Sequence, residues 1–193
     1  WDSDTVPAKG EVAVIPEGFS VDLLSDSAGL EEIKVRGTLY VGATLTHKWQ
    51  GPHVDRTGYV TVDYQNGGKW LNRHSKNQLV FNTDGTDYGT LELIMPDDLG
   101  RHTAIPHKDL KDIDEGILVL DLNSMTGAGI RQKVRLFNAT NGSITGTAFH
   151  DVQGLSGTGF AVRYDYPAGD IFLAPEKMWE DPANGNWDTG DNW

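Results

Sequence analysis

Cysteine is absent from all 193 residues, so neither disulfides nor thiolate metal sites hold this chain together, and redox chemistry through protein thiols is excluded. Basic residues are scarce. Sixteen Lys and Arg against 28 Asp and Glu leave a formal charge of −12. The cations that do occur are scattered singly, which argues against a nucleic-acid partner, because phosphate binding needs clustered Lys and Arg. No apolar run approaches the ~20 residues that span a bilayer, and no signal peptide is visible. Trp1 in place of an initiator Met reads as a processed chain or an excerpt of a longer one. The acidic surface suits solubility, a cation-rich exterior, or Ca²⁺ held by carboxylates.

What the chain has in quantity is glycine, 23 residues, and apolar residues that recur at period two. The alternation is plain in "EVAVIP" (11–16), "SVDLL" (20–24), "IKVRGTLYVG" (33–42), "YVTVDY" (59–64), "QLVFN" (78–82) and "GTLELIM" (89–95). It continues in "ILVLDL" (117–122), "QKVRLFN" (132–138), "GFAVRYDY" (159–166) and "DIFLAP" (170–175). Such segments, cut by Asn-Gly, Asp-Gly and Gly-Gly turns, predict strands. Only "SAGLEEIK" and "HKDLKDIDEG" could hold a helical turn.

Gly37, Gly58, Gly68 and Gly89 open similar short segments, and about twenty residues separate Gly37 from Gly58 and Gly68 from Gly89. That length suits one coil of a β-solenoid, and equally a sandwich whose strands each follow a glycine turn. Beyond residue 96 the spacing is longer. An Asn-Gly turn is expected at Asn141–Gly142, and a hairpin hinged at Pro167, Ala168 and Gly169. The expected fold is all-β: a jelly-roll-like β-sandwich with antiparallel pairing, whose N-terminal half has a short solenoid as its alternative. The expected divisions are 1–96, then 97–178 sharing its core, then a Trp- and Asp-rich junction at 179–193.

Motifs for chemistry are missing. His102 and His107 are close, but Pro106 between them prevents the helical spacing of a zinc motif, and the segment reads as a solvated loop. There is no Gly-x-Ser-x-Gly elbow, and Gly-rich 154–159 lacks the Lys of a phosphate loop. The carboxylates Asp97–Asp98, Glu31–Glu32 and Asp112, Asp114, Glu115 read as charged loop tips, because neighbours on a strand point to opposite faces. No catalytic residue is assigned and an enzyme is not expected; a polysaccharide-degrading enzyme is the weakest of the alternatives. Glu180, Asp181, Asp188 and Asp191 gather in a Gly-rich tail that could wrap Ca²⁺, although an unmetallated turn accounts for them equally simply.

The tryptophans point elsewhere. If Trp193 is overlaid on Trp1, the tail "NGNWDTGDNW" runs into the head "WDSDTVPAKG" like the seam between two copies of one unit. Trp1, Asp2, Thr5 and Pro7 at the head, with Trp179, Trp187 and Trp193 at the tail, are the candidate contacts between units. In the rival reading, Trp49, Trp70 and Trp187 stack on sugar rings in a carbohydrate-binding or adhesive module.

The stretch "VAVIPEGFSVDLLSDSAGLEEIKVRGTLYV" resembles the opening of G8-type and related β-rich modules of secreted bacterial proteins. The likeness lies in Val14 to Gly18, then Val21 to Leu23, then Gly37 to Leu39; residues 48–76 depart from it. Trp1 to Pro7 is similar to the start of repeats in large surface proteins of the autotransporter-associated and PEP-CTERM kind, and residues 117–175 to their last β segments. The resemblance implies a secreted, repeated module with an adhesive or scaffolding role. Its expected partners are further copies of itself, and surface glycans in the rival reading. Its expected place is the cell surface.

Overall fold

A strand with alternating apolar and polar residues has one face that water must not reach. The computed structural model shows how this chain covers such faces. It describes residues 7–27, 29–72, 78–83, 85–97, 104–125 and 133–176, with the backbone alone for 48–52, 72 and 139–142. In chain order the strands are β1 (Val12–Ile15), β2 (Ser20–Leu23), β3 (Leu30–Val35), β4 (Thr38–Val41), β5 (Thr44–Val54), β6 (Tyr59–Asp63), β7 (Lys69–Asn72) and β8 (Gln78–Phe81). They continue as β9 (Gly89–Ile94), β10 (Ile105–Lys111), β11 (Gly116–Asp121), β12 (Val134–Ile144), β13 (Asp151–Gln153), β14 (Phe160–Asp165) and β15 (Asp170–Pro175).

The fold is all-β, in two sheets. The first runs β1-β3-β5-β8-β10-β12-β15-β14, with β7 also on β5, and the second runs β13-β11-β9-β6-β4-β2. From β1 to β13 the pairing is parallel, so the chain visits the two sheets in turn and climbs one strand per visit. This is a coiled path, and it crosses residue 96 without a break, through β8 to β10 and β9 to β11. Antiparallel pairing, expected throughout the C-terminal half, is confined to β12, β15 and β14 at the end of the first sheet. The β14–β15 hairpin turns where Pro167, Ala168 and Gly169 place it, with Gly169 in the left-handed region at φ 71°.

Coiling stacks like on like. In the second sheet Val21, Leu39, Val60, Leu91, Leu118 and Val152 form one inward ladder, and Leu23, Val41, Val62, Leu93 and Leu120 another. In the first sheet Ile15, Val35, Val54 and Phe81 stack in register. These ladders face each other, and their interior members are fully buried. Most strands bury one face, which is why the sequence alternates instead of showing the continuous apolar runs of a parallel sheet covered on both sides; β6 and β8 are buried on both faces.

The corner leading into the second sheet is a column of glycines, Gly37, Gly58, Gly89 and Gly116. The Tyr59 N–H donates to the Gly37 carbonyl, Thr90 donates to that of Gly58, and Gly116 pairs with Gly89. A Cβ on Gly58 would overlap the carbonyl oxygen of Val35 in the coil before, and one on Gly116 would run into the Phe81 ring. Three of the four glycines picked out by spacing lie in this column. Gly68 precedes β7 instead.

Three local expectations differ. "SAGLEEIK" contributes to strand β3, whereas "HKDLKDIDEG" does hold the short helical turn expected of it, a single 3-10 turn at Ile113–Glu115 after β10. Asn141–Gly142 does not end a strand: β12 runs through it, with residues 140–142 bulging opposite the single residue Lys108 of β10. His107 is not in a solvated loop; it is 2% exposed on β10, its ring edge-on to Phe137.

Candidate functional site: the two ends of the coil stack

Of the residues singled out above, Trp1, Asp2, Thr5, Asp98, His102, Trp179, Trp187, Trp193, Glu180, Asp181, Asp188 and Asp191 lie outside the described residues. Pro7 is half-buried ahead of β1, and Trp49 lies on the β5 backbone with its side chain undescribed. Trp70 corrects the sugar-stacking expectation. It is 1% exposed, and its indole N–H donates to Nε2 of His47 at 2.9 Å, so neither ring face is open to a saccharide. A buried indole needs a partner for its N–H, and a neutral histidine provides it.

Among these carboxylates Glu32 and Glu115 serve local structure. Glu32 lies 3.4 Å from Lys34 and 3.3 Å from His53. Glu115 accepts the Thr83 N–H, and the Asp112 N–H donates to the Thr145 hydroxyl across a turn in which Asp112 is left-handed, φ 56°. Among the described residues no three His, Asp or Glu side chains converge as metal ligands would.

What the stack does expose is its ends. Among the described residues five large apolar side chains are open to water: Val12, Val14, Phe19, Leu24 and Tyr166. The first four belong to the opening coil, on or beside β1 and β2, with Phe19 64% and Leu24 73% exposed. Tyr166 belongs to the closing hairpin, its ring stacked on Tyr164. Between β13 and β14 lies an open groove of about 530 Å³ lined by Val152, Leu155, Phe160, Val162 and Tyr164 among others. Both apolar features are thus set at the two extremes of the stack. There β2 and β13 are the terminal strands of the second sheet, each with one edge unpaired within that sheet.

The long outer face of the second sheet has a different character. None of its six strands contains Lys, Arg or His, and its outward positions include Asp22, Asp63, Glu92 and Asp121. Asp63 is held by the Tyr40 hydroxyl and by the Asn66 backbone and side-chain amides. Burial alone would raise its pKa, but these hydrogen bonds outweigh burial and hold the carboxyl below its ordinary range. The Asp63 hydrogen bond is the main cause that pushes the Tyr40 hydroxyl up. Glu92 accepts from the Thr61 hydroxyl at 2.9 Å. A face of one sign repels its own kind.

Searched against known proteins, the chain matches no family model, no curated protein and no solved structure.

Proposed function

We propose that this chain is a structural unit of an extracellular filament or cell-surface array, joined to further copies end to end. One observation carries the reading: the apolar ladder of the second sheet runs from Val21 to Val152 and is left half-buried at both ends, where the remaining exposed apolar side chains also gather. Exposed strand edges flanked by apolar residues are the ordinary means of strand addition. A contact between unlike ends repeats without closing and gives a filament. The acidic sheet face supports growth along the stack over sideways clumping. In this reading the module supplies length and stiffness and carries no reaction. The resemblance to repeated surface modules supports the same assignment and the extracellular location.

Sedimentation velocity over a rising concentration series tests it. The intact chain should show successive larger species, while Phe19→Asp and Leu24→Asp should sediment as monomers with unchanged thermal midpoints, since both side chains are already in water. A monomer at every concentration, or variants that associate like the parent, would contradict the proposal.

A further inference from the structure

Independently of any joint between copies, we infer that the corner between the opening coils is a binding site for an acidic sugar, in which Arg36 takes the carboxylate of a hexuronate. The corner from β3 to β4 is only Arg36 and Gly37, whereas its neighbours, 16–19 before β2 and 55–58 before β6, are longer. A short corner between longer ones leaves a groove. It measures about 640 Å³, is open to solvent, and includes Val14, Pro16, Arg36, Asp55, Arg56 and Asn82 in its lining.

The guanidinium is set in advance. Its Nε donates to one oxygen of Asp55 at 3.0 Å, and the other oxygen of Asp55 accepts from the Asn82 side-chain amide at 2.7 Å, so three successive coils hold one polar array. The rest of the arginine fork has no protein partner among the described residues. The Arg36 backbone is gripped as well. Its carbonyl accepts from the Thr57 hydroxyl at 2.9 Å, while Thr57 itself lies in the left-handed region at φ 63°. Thr57 is the third residue of the Asp55–Gly58 turn, where glycine is the unstrained choice. A β-branched residue is an outlier in that region, and such strain collects at ligand clamps.

A guanidinium fork matches a planar carboxylate through two parallel hydrogen bonds. Arg56 brings a second exposed cation to the groove. The remaining lining selects a sugar as the carrier of that carboxylate. Val14, 47% exposed, and Pro16 offer an apolar patch to the C–H face of a ring, and Glu17 is an acceptor for its hydroxyls. Glu17 also opposes a peptide that presents several carboxylates together.

Titration of the isotope-labelled chain with glucuronate, followed by the amide signals of Arg36, Thr57 and Gly58, tests the site. Glucose, acetate and an aspartate-rich peptide serve as the comparison probes. Glucuronate should shift these signals and bind more tightly than any of the three. Arg36→Gln should weaken it by about tenfold or more, the loss expected for charge-assisted hydrogen bonds. The Arg36 side chain is 60% exposed, so its replacement leaves the fold intact. Arg36→Lys keeps the charge without the fork and should not restore binding. Thr57→Gly should weaken binding while the thermal midpoint stays level or rises, a split that a purely structural threonine would not produce. No shift at this corner, or equal affinity in Arg36→Gln, overturns the site. Acetate or the peptide binding as tightly as glucuronate overturns the sugar. A lower midpoint with unchanged affinity in Thr57→Gly overturns the positioning role of Thr57.

Discussion

Replacing Gly58 by alanine should cost about 3 kcal/mol of folding stability or more, the upper range for forcing atoms into a packed interior. The added methyl would overlap the Val35 carbonyl oxygen, which already accepts from the Asp55 N–H, while the Gly58 N–H donates to the Asp55 carbonyl. Neither backbone can withdraw without breaking the corner that carries the chain from one sheet to the other. Gly18 provides the contrast. It has φ 80° but open space where a Cβ would go, so Gly18→Ala should cost only about 1 kcal/mol, the cost of holding alanine in the left-handed region. Urea unfolding of both variants measures the difference. Equal midpoints would mean that the glycine column is not a steric requirement of coiling.

The second large effect is a loss of stability in mild acid. His47 is buried beside Trp70, and its Nδ1 has no hydrogen-bond partner among the described residues. Burial lowers its pKa from the ordinary 6.5 to about 4, and burial also lowers that of His107. The folded state thus resists a proton that the unfolded chain accepts. As pH falls below about 6.5 the unfolded state gains the proton first, so stability is complete above that pH and declines until about pH 4, where the folded form also protonates. The His47 share of this loss is about 3 kcal/mol. His47→Gln keeps an acceptor for the indole N–H and removes the titration, so its stability should be flatter between pH 6.5 and 4 in chemical denaturation. An unchanged slope would place the titrating group elsewhere. Asp63 stays ionised to lower pH than a free carboxyl, so its stabilising bonds are present above about pH 3.8 and are lost only as pH falls further. The two contributions therefore separate along the pH axis.

Much of this architecture was written in short-range pattern. Alternation located most strands, the Pro167 to Gly169 segment located the closing hairpin, and the glycine spacing contained the corner column. Alternation does not say which strand lies beside which, because a residue faces inward in the same way in parallel and antiparallel pairs. The jelly-roll expectation therefore described the layers correctly and misjudged the path between them. β5 was missed because Gly51 and Pro52 interrupt it, and its mismatches with β3 are absorbed by register shifts between Leu30 and Lys34. β10 was missed because Pro106, His107 and Lys108 read as a polar loop, although Ile105, His107 and Leu110 point into the core.

Trp70 shows the same limit at a candidate site. Among Lys69, Leu71 and Asn72 it looked like a surface aromatic, and only the stacking of β7 on β5 brings it to His47. Nor did composition reveal the apolar ends. Val21 and Val152 look like any inward residue, and their half-buried state follows from being first and last in a ladder.

Electron microscopy of the concentrated intact protein tests the central claim most directly. The eight strands in line in the first sheet, at about 4.8 Å each, make a unit roughly 40 Å long along the stack. The account predicts unbranched rods with an axial repeat of that order. Isolated particles no longer than one stack at every concentration, or aggregates joined side to side through the acidic face, would contradict it.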